Sequence, residues 1–352
     1  MSVTIRDVAH KAGVSPITVS RAFSGTHPVA EETQRKVFEA AKELGYVPDL
    51  LARALVHKQS PIIGVIVLEL ANPFFVPILD AVQAIAWQKN YMLMVSQSQR
   101  QLDMERASVH QFRQMRVAGV LITPATRETE HLQLLKAQGT PVVFVARRSE
   151  GTDYVTFDEL AGGRMVSEHL IRLGHRKIGC VAHDEPHNAA VQDRVHGFRQ
   201  VLQEAGCTSC PTIHTQTVRM ADAIRAADTF LNLPERPTAV FVTADRLAIG
   251  FVHRLQQRGL RVPSDVAVVS YDDIRYAEFL EVPLTTVALP KHEVGQLAAQ
   301  VLFERIEENE VSEVSDDSGC QSDLQNLQNE LRQVTLEPRL VIRGSCGAKR
   351  RD

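Results

Sequence analysis

The sequence predicts two kinds of structure in one chain. These are an N-terminal all-α helix-turn-helix domain and a two-lobed α/β core with two doubly wound parallel sheets. From Ile62 onward, short apolar runs alternate with amphipathic helical segments, a pattern typical of parallel strands covered by helices on both faces. The pattern restarts near Asp158, so two similar halves are expected, with a ligand crevice beyond the carboxyl ends of their strands.

The N-terminal domain begins with two short helices joined by a tight turn. Gly13 supplies a permissive backbone for the turn, Ser15 is a natural N-cap, and Pro16 suits a first helical position. Val19 and Phe23 of the second helix are expected in the core. The residues expected to face outward are Pro16, Ile17, Thr18, Ser20 and Arg21. A helix of this size and polarity fits the major groove of DNA.

Two further helical segments follow. Residues from Glu31 to Leu44 place Val37, Ala40, Ala41 and Leu44 on one face and complete a three-helix domain. Residues from Leu50 to Leu55 form a helix so short that it is marginal alone in water, so it is expected to fold only with help.

Length and charge agree with this division. A chain of 352 residues suggests two or three domains. The net charge is −3; residues 1–60 hold eight basic and six acidic side chains, which makes that segment +2 and the remainder −5. This excess is weak evidence for nucleic-acid binding, whereas the position of the basic residues near the expected groove elements is better evidence.

The core alternates predicted strands and helices. The predicted strands are Ile62–Leu68, Met92–Val95, Val120–Ile122, Val142–Val145, Ile178–Val181, Ala239–Val242 and Val266–Val269. The predicted helices are Ile78–Lys89, Asp103–Met115, Ala161–Leu173, Arg194–Ala205, Ala221–Leu231 and Ala248–Arg258.

The chain resembles lactose-repressor-type (LacI/GalR) transcription factors. The resemblance rests on Thr4–Ala9, Gly13–Arg21, Val29–Thr33 and Leu44–Leu55, and it continues to Pro338–Ser345. It implies a homodimeric, effector-responsive regulator, most simply a repressor, with a periplasmic-binding-protein-like core whose chain crosses between lobes near Asp158, near Ala288 and before the final strand. The implied partners are a near-palindromic double-stranded operator and a carbohydrate effector, with assembly beyond the dimer left open.

The DNA-binding residues that we predict combine the helix-turn-helix with this resemblance. Arg21 is the sharpest candidate, because a guanidinium can hold guanine O6 and N7 together; a phosphate contact is the alternative. The resemblance places Leu55 in the minor groove at the operator centre, with packing against the core as the alternative. The full predicted set is Thr4, Ser15, Pro16, Ile17, Thr18, Ser20, Arg21, Ala52, Arg53 and Leu55.

The effector candidates lie in loops that follow strands. Matching family positions imply effector contacts for Phe74, Arg194 and Asp272, and core packing is the alternative for one of Phe74 and Phe75. Asp245 and Asp158 rank lower, since both could be helix caps. Two arginines near the crevice would suit an anionic effector such as a sugar acid or phosphate. The predicted set is Phe74, Phe75, Arg147, Asn188, Arg194, Asp245 and Asp272.

These interpretations give the following boundaries. The DNA-binding domain spans 1–47, the hinge helix and linker 48–60, the core 61–346, an acidic insertion 309–334 and a tail 347–352. Lobe 1 takes about 61–157 and 288–308, and lobe 2 about 158–287 and 335–346. The stretch 307–330 holds eight acidic residues and no Lys or Arg, which favours an acidic loop; a helical stripe of Leu324, Leu327 and Leu331 is the alternative.

Other activities find little support in the sequence. It holds no Gly-x-Gly-x-x-Gly after a strand, no Gly-x-Ser-x-Gly elbow and no phosphate loop, so no catalytic residues and no cofactor are predicted. Pro186 between His183 and His187 argues against a zinc site, so no metal is expected. Five cysteines without a secretory signal or a membrane-length apolar run suggest the cytoplasm. The rival classes are a periplasmic sugar-binding protein and an α/β enzyme.

Overall fold

The structure is a computed structural model that describes residues 3–24, 28–46, 60–183, 189–207, 210–315 and 330–348. Several sequence predictions lie outside these residues. They are the hinge helix with Ala52, Arg53 and Leu55, the effector candidate Asn188, the centre of the acidic insertion at 316–329, and the end of the tail.

Three helices form the N-terminal domain: α1 (Ile5–Ala12), α2 (Pro16–Ser24) and α3 (Glu31–Leu44). Val8, Val19 and Val37, one from each helix, are completely buried and form the centre of its small core. The turn between α1 and α2 passes through Gly13, whose φ of 69° lies in the left-handed region that favours glycine. The predicted helix-turn-helix is therefore confirmed.

Lobe 1 is built on a six-stranded parallel sheet. With strands numbered in chain order, its members are β1 (Ser60–Val67), β2 (Met92–Gln97), β3 (Val117–Ile122), β4 (Val142–Val145), β5 (Asp153–Phe157) and β11 (Gln333–Leu336). Their spatial order is β11-β5-β4-β3-β1-β2. The helices of this lobe are α4 (Val76–Gln88), α5 (Leu102–Gln114), α6 (Gln133–Lys136) and α11 (Lys291–Ser315).

Lobe 2 repeats this plan. Its strands are β6 (Ile178–His183), β7 (Thr212–Thr215), β8 (Ala239–Val242), β9 (Ala267–Asp272), β10 (Thr285–Ala288) and β12 (Arg339–Val341), in the spatial order β12-β10-β9-β8-β6-β7. Only the β10–β12 pair is antiparallel among the described pairings. Its helices are α7 (Glu159–Arg172), α8 (Ala189–Glu204), α9 (Met220–Leu231) and α10 (Asp245–Gln257).

Both faces of the second sheet are covered, as the near-continuous apolar strands predict. Phe198 of α8 packs on Phe241 of β8 on one face, and Phe251 of α10 packs with Val240 on the other. The chain passes between lobes after Phe157, after Ala288 and between β11 and β12. The predicted two-lobed α/β fold class is confirmed.

Some boundaries differ from the sequence predictions. β11 pairs with β5 in lobe 1, although residues from 335 onward were assigned to lobe 2. The helix α11 continues to Ser315, so the first part of the expected acidic loop is helical. Short strands such as β7 and β11 were not predicted, because edge strands with threonine and glutamine lack the apolar run that marks a central strand.

Candidate DNA-binding domain and effector crevice

The helix α2 presents an apolar and cationic surface to solvent. Ile17 is 64% exposed, and Pro16 and Arg21 are exposed beside it, while Thr18 and Ser20 are half-buried. Beneath this surface, Val19 is fully buried. The exposed face of α2 therefore combines the apolar side chains of Pro16 and Ile17 with the guanidinium group of Arg21.

Polar side chains fix the starts of both helices in this domain. The backbone N–H and the hydroxyl of Thr4 both donate to Oδ2 of Asp7 at 2.7 Å. The hydrogen bond from the Thr4 side chain lowers the pKa of Asp7. The backbone N–H of Thr18 donates to Oγ of Ser15 at 3.1 Å, which confirms Ser15 as the N-cap of α2. The starts of α1 and α2 are therefore stabilised by hydrogen bonds within this domain.

A crevice with a volume of about 70 Å³ opens between the two lobes. It lies where parallel strands of both sheets end, as the switch-point rule predicts. Five predicted effector residues line it, namely Phe74, Phe75, Arg147, Arg194 and Asp272. This small volume leaves little room beside the protein's own side chains, so a ligand of sugar size requires them to move apart.

Arg194 is held in place by a buried network in lobe 2. Its Nε and Nη2 lie 3.0 and 2.9 Å from Oε2 of Glu159, and its Nη1 donates to the carbonyl oxygen of Thr243 at 2.5 Å. The guanidinium carbon lies 3.6 Å from the centre of the Tyr271 ring. Burial alone would lower the pKa of Arg194, but the carboxylate of Glu159 raises it, so the arginine keeps its charge.

The close approach of two helices places Arg194 opposite Glu159. A Cβ on Gly163 of α7 would overlap the carbonyl oxygen of Arg194, and a Cβ on Gly197 of α8 would overlap that of Leu160. Only glycine permits this backbone contact. The nearby Asp158 accepts a hydrogen bond from the N–H of Ala161 at 2.8 Å and thus caps α7, which supports the capping alternative for Asp158.

Asp272 ends β9 at the crevice in an unusual backbone conformation. Its φ is 108°, rare for a residue with a side chain. Burial raises the pKa of its carboxyl to about 7, although Arg194, whose Nη1 lies 3.9 Å away, acts in the opposite direction. Ala146, which follows β4, and Arg100, which lies three residues after β2, also have positive φ values of 55° and 62°. Such strain is characteristic of functional sites.

The prediction that Asp245 binds the effector needs correction. This side chain is fully buried behind the crevice and does not line it. Its carboxylate accepts hydrogen bonds from the hydroxyl of Ser270, from the N–H of Ile274 at 2.8 Å and from the hydroxyl of Thr286 at 2.8 Å. Asp245 thus ties β9, β10 and the loop after β9 together. Burial raises its pKa to about 6.

The two phenylalanines differ in their surroundings. Phe75 is only 3% exposed and belongs to the core, whereas Phe74 is half-buried against that core. Their rings meet edge to face with centroids 5.1 Å apart. Both line the crevice, but Phe74 has more accessible ring surface for a ligand, which supports core packing as the main role of Phe75.

Sequence reasoning missed four charged or titratable crevice residues: Arg100, Glu159, His183 and Arg246. Arg100 and His183 follow or end the strands β2 and β6, so the strand-end rule that identified Asp272 could have found them. Arg246 joins the lobes, since its Nη1 lies 2.8 Å from Oε2 of Glu69. No local sequence pattern predicts this contact, because the two residues are 177 positions apart.

The described residues contain no group of three or more His, Cys, Asp or Glu side chains arranged to hold a metal ion. Cys180, Cys207, Cys210 and Cys346 are free thiols. No helix among the described residues is long and apolar enough to cross a membrane.

Comparison with known families agrees with both parts of the structure. Residues 4–49 match the lacI family of bacterial regulatory proteins, and residues 167–346 match a periplasmic binding protein-like domain. The chain is 36% identical over 312 residues to the HTH-type transcriptional repressor PurR of Vibrio vulnificus, covering 87% of this chain and 93% of that protein. The PurR repressor of Aliivibrio salmonicida is 35% identical over 309 residues, covering 87% and 92%.

Solved structures give the same result. The lac repressor dimer bound to operator and the anti-inducer ONPF has a TM-score of 0.81 at 27% identity, with 98% of this chain and 99% of that chain covered. The complex of the regulator CelR with cellobiose has a TM-score of 0.67 at 28% identity, with coverages of 97% and 99%. The chain belongs to the lacI family of bacterial regulatory proteins. It is a DNA-binding transcriptional repressor with a small-molecule effector site, and not an enzyme.

Proposed function

We propose that two copies of this chain bind a near-palindromic operator and that a ligand in the interlobe crevice changes the affinity. The observation that carries the first half is the surface of α2, where Ile17 and Arg21 are exposed on a helix whose other face is buried. Two such helices fit two half-sites about one helical turn apart. A related lac repressor structure is described as a dimer bound to operator.

The individual DNA contacts are part of this proposal. Arg21 reads a guanine, Pro16 and Ile17 touch thymine methyl groups, and Ser20 and Thr18 contact phosphates. Thr4 and Ser15 order the helix starts through their side chains, and Ser15, at the N-terminus of α2, also contacts a phosphate. For Ala52, Arg53 and Leu55 the proposal rests on the family resemblance of the hinge.

The crevice supports the second half of the proposal, in which a ligand changes the affinity for DNA. Side chains of both lobes line it, so a ligand that contacts both changes how the lobes are arranged. Phe74, Arg147, Arg194 and Asp272 are proposed to contact this ligand, and Asn188 is retained on the resemblance alone. The effector is proposed to be a sugar or a sugar derivative. Related regulators were solved with cellobiose and with ribose. The site of action is the cytoplasm, where the operator DNA is.

Selection of operators from a random duplex library, followed by fluorescence anisotropy, tests the DNA-binding part. Arg21→Ala should reduce discrimination between the selected operator and a variant with the contacted guanine replaced by roughly 10-fold or more, because a bidentate arginine contact contributes about 1–3 kcal/mol. Arg35→Ala, which removes an exposed arginine of α3, is the matched control and should leave discrimination unchanged.

Unchanged discrimination in Arg21→Ala would remove the base-reading assignment. Binding of wild-type protein to every duplex with equal affinity would refute the proposal that it recognises a specific operator sequence. The stoichiometry of the complex, measured by analytical ultracentrifugation, decides whether two chains bind one site.

A further inference from the structure

One lysine is buried at the point where the chain returns from lobe 2 to lobe 1. Lys291 is the first residue of α11, and only 7% of its surface is exposed. A lysine is almost never buried to this extent unless its ammonium group has partners. The N-terminus of a helix is also an unfavourable place for a cation, because the helix dipole is positive there. The position of Lys291 therefore needs an explanation outside its own helix.

The partners of Lys291 are two consecutive carbonyl groups of lobe 2. Its Nζ donates to the backbone carbonyl oxygens of Asp272 and Asp273, the second at 3.1 Å. The strand pairing explains how the side chain reaches them, because Ala288 of β10 lies opposite Asp272 of β9 and Lys291 follows three residues later. A residue that begins a helix of lobe 1 thus holds the end of a strand of lobe 2.

The two carbonyl groups belong to residues with an uncommon backbone conformation. The φ angles of Asp272 and Asp273 are both positive, at 108° and 48°. Residues with side chains keep such angles only when the surrounding structure compensates the strain. The N–H of Asp273 donates to Oγ1 of Thr286 at 3.3 Å, and its carboxylate lies 2.8 Å from Nη1 of Arg343. On the carbonyl side, both aspartates are held by Lys291.

The place of the Asp272 carboxyl group depends on this backbone, because φ sets the direction in which the Cβ atom leaves the chain. In the observed conformation the side chain lines the crevice, with Oδ1 3.9 Å from Nη1 of Arg194. The ring centre of Phe74, on the lobe 1 wall, lies 6.0 Å from Nζ of Lys291. Lys291 is therefore close to a candidate effector residue on each wall.

We propose that Lys291 is a positioning residue of the effector crevice. Its ammonium group holds the backbone of Asp272 and Asp273 at positive φ and so keeps the Asp272 carboxyl group on the crevice wall. Lys291 is not among the described residues that line the crevice, so it acts through Asp272. This inference rests on the proposed function, because Asp272 is a proposed ligand contact.

A lysine that supplied only its charge would have a different effect on Asp272. Burial raises the pKa of the Asp272 carboxyl to about 7; Asp245 and Glu159 act in the same direction, whereas Arg194 and Lys291 act in the opposite one. Removing the charge of Lys291 without moving Asp272 therefore raises this pKa. Releasing the carboxyl group from its buried place lowers the pKa toward the ordinary value of 3.8, because the desolvation is lost.

Carbon-13 NMR of the full chain, labelled at the side-chain carboxyl carbon of aspartate, measures this pKa without any ligand. The signal of Asp272 is assigned by its loss in Asp272→Asn. Lys291→Met and Lys291→Gln are compared, because both side chains are neutral and similar in length, but only glutamine keeps N–H donors for the two carbonyl groups. The titration midpoint of Asp272 should fall from about 7 toward 3.8 in the methionine variant and rise above 7 in the glutamine variant.

Lys89→Met is the matched control. The Nζ of Lys89 also lies 6.0 Å from the centre of a phenylalanine ring, that of Phe303, but it pairs with Glu307 outside the crevice. The midpoint of Asp272 in this variant should equal that of the wild type. Thermal unfolding shows whether each variant keeps its fold, and Lys291→Leu, which also lacks donors, replaces the methionine variant if that variant does not fold.

Two results would overturn the proposal. A rise of the Asp272 midpoint in both Lys291 variants would show that the lysine supplies charge alone, and an unchanged midpoint in both would show that it does not act on Asp272. The measurement needs no DNA, so either result leaves the operator proposal intact. Lack of any operator preference in the duplex selection would refute the proposed function instead, without changing the relation between Lys291 and Asp272.

Discussion

The two walls of the crevice are built differently. The lobe 2 wall is an internal network in which Arg194 contacts Glu159, Tyr271 and Thr243, so each buried charge has a partner from its own lobe. The lobe 1 wall places Arg100 and Arg147 after strand ends, and the carboxylates that act on them, Glu69 and Glu159, also pair with lobe 2 arginines. Residues of the first wall should matter for folding as well as for ligand binding, and residues of the second mainly for ligand binding.

Arg194→Ala should produce the largest effect on stability. The substitution leaves the carboxylate of Glu159 buried without its partner, which costs about 3–5 kcal/mol of unfolding free energy. Guanidinium chloride unfolding measures the loss. Arg199→Ala, on the exposed side of the same helix, is the control and should change stability by about 1 kcal/mol or less. Similar losses in both variants would contradict the internal network.

Asp272→Asn should alter how stability depends on pH. The folded-state pKa of about 7 lies above the unfolded value of 3.8, so the folded protein binds the proton more tightly and the wild type loses stability as pH rises between these values. The asparagine variant should gain on the order of 2 kcal/mol relative to wild type at pH 8. Urea unfolding at pH 5 and pH 8 measures the difference.

In the Asp272→Asn variant, the change of stability that remains between pH 5 and pH 8 should come from Asp245, whose pKa is about 6. Asp265→Asn is the control, because a hydrogen bond from Arg261 lowers the pKa of Asp265, whereas the pKa of Asp272 is raised. That variant should not gain stability at pH 8. Parallel pH profiles for wild type and Asp272→Asn would show that Asp272 is ionised throughout.

Glu69→Gln should weaken the contact between lobes by a modest amount. The Glu69–Arg246 pair is about one-fifth to one-quarter exposed, so solvent screening limits its contribution to about 1 kcal/mol. We expect a small loss of thermal stability and a few-fold change in effector affinity. Glu235→Gln, which removes an exposed pair within lobe 2, should change neither quantity.

Arg147→Gln should have the smallest effect on stability. Burial and two neighbouring arginines already disfavour its charge, so its removal should change the unfolding free energy by about 0.5 kcal/mol or less, or stabilise the fold slightly. The same substitution should weaken binding of the effector, because Arg147 lines the crevice. A large loss of stability would show that the lobe 1 wall is also structural.

The fold was largely predictable from local patterns. Gly13, Ser15 and Pro16 mark a turn and a helix start within four residues, and the structure shows that turn and that cap. Runs such as Val142–Val145 and Ala239–Val242 identify central strands because both of their faces are buried. Four strands escaped prediction: β7 and β11 at the sheet edges, and β5 and β10 inside the sheets. They share a sequence interrupted by threonine or other polar residues, so none shows the continuous apolar run that marks a buried strand.

The site was predictable in position but only partly in its residues. Strand ends located Phe74, Arg147 and Asp272 on the crevice wall. The same rule wrongly included Asp245, because a carboxylate at a helix start can equally serve buried hydroxyl groups in its own lobe. The partner of Arg194 could not be predicted, since Glu159 reaches it only through the glycine contact between α7 and α8.

The sequence alone determined the order of the elements, the turn before the recognition helix and the presence of two α/β halves. Periodicity and capping act over a few residues and are therefore written locally. The tertiary structure decided which charges meet, because Glu159 with Arg194 and Glu69 with Arg246 are separated by 35 and 177 positions. Their electrostatic energy depends on burial and distance in the folded chain, and neither quantity is encoded in sequence spacing.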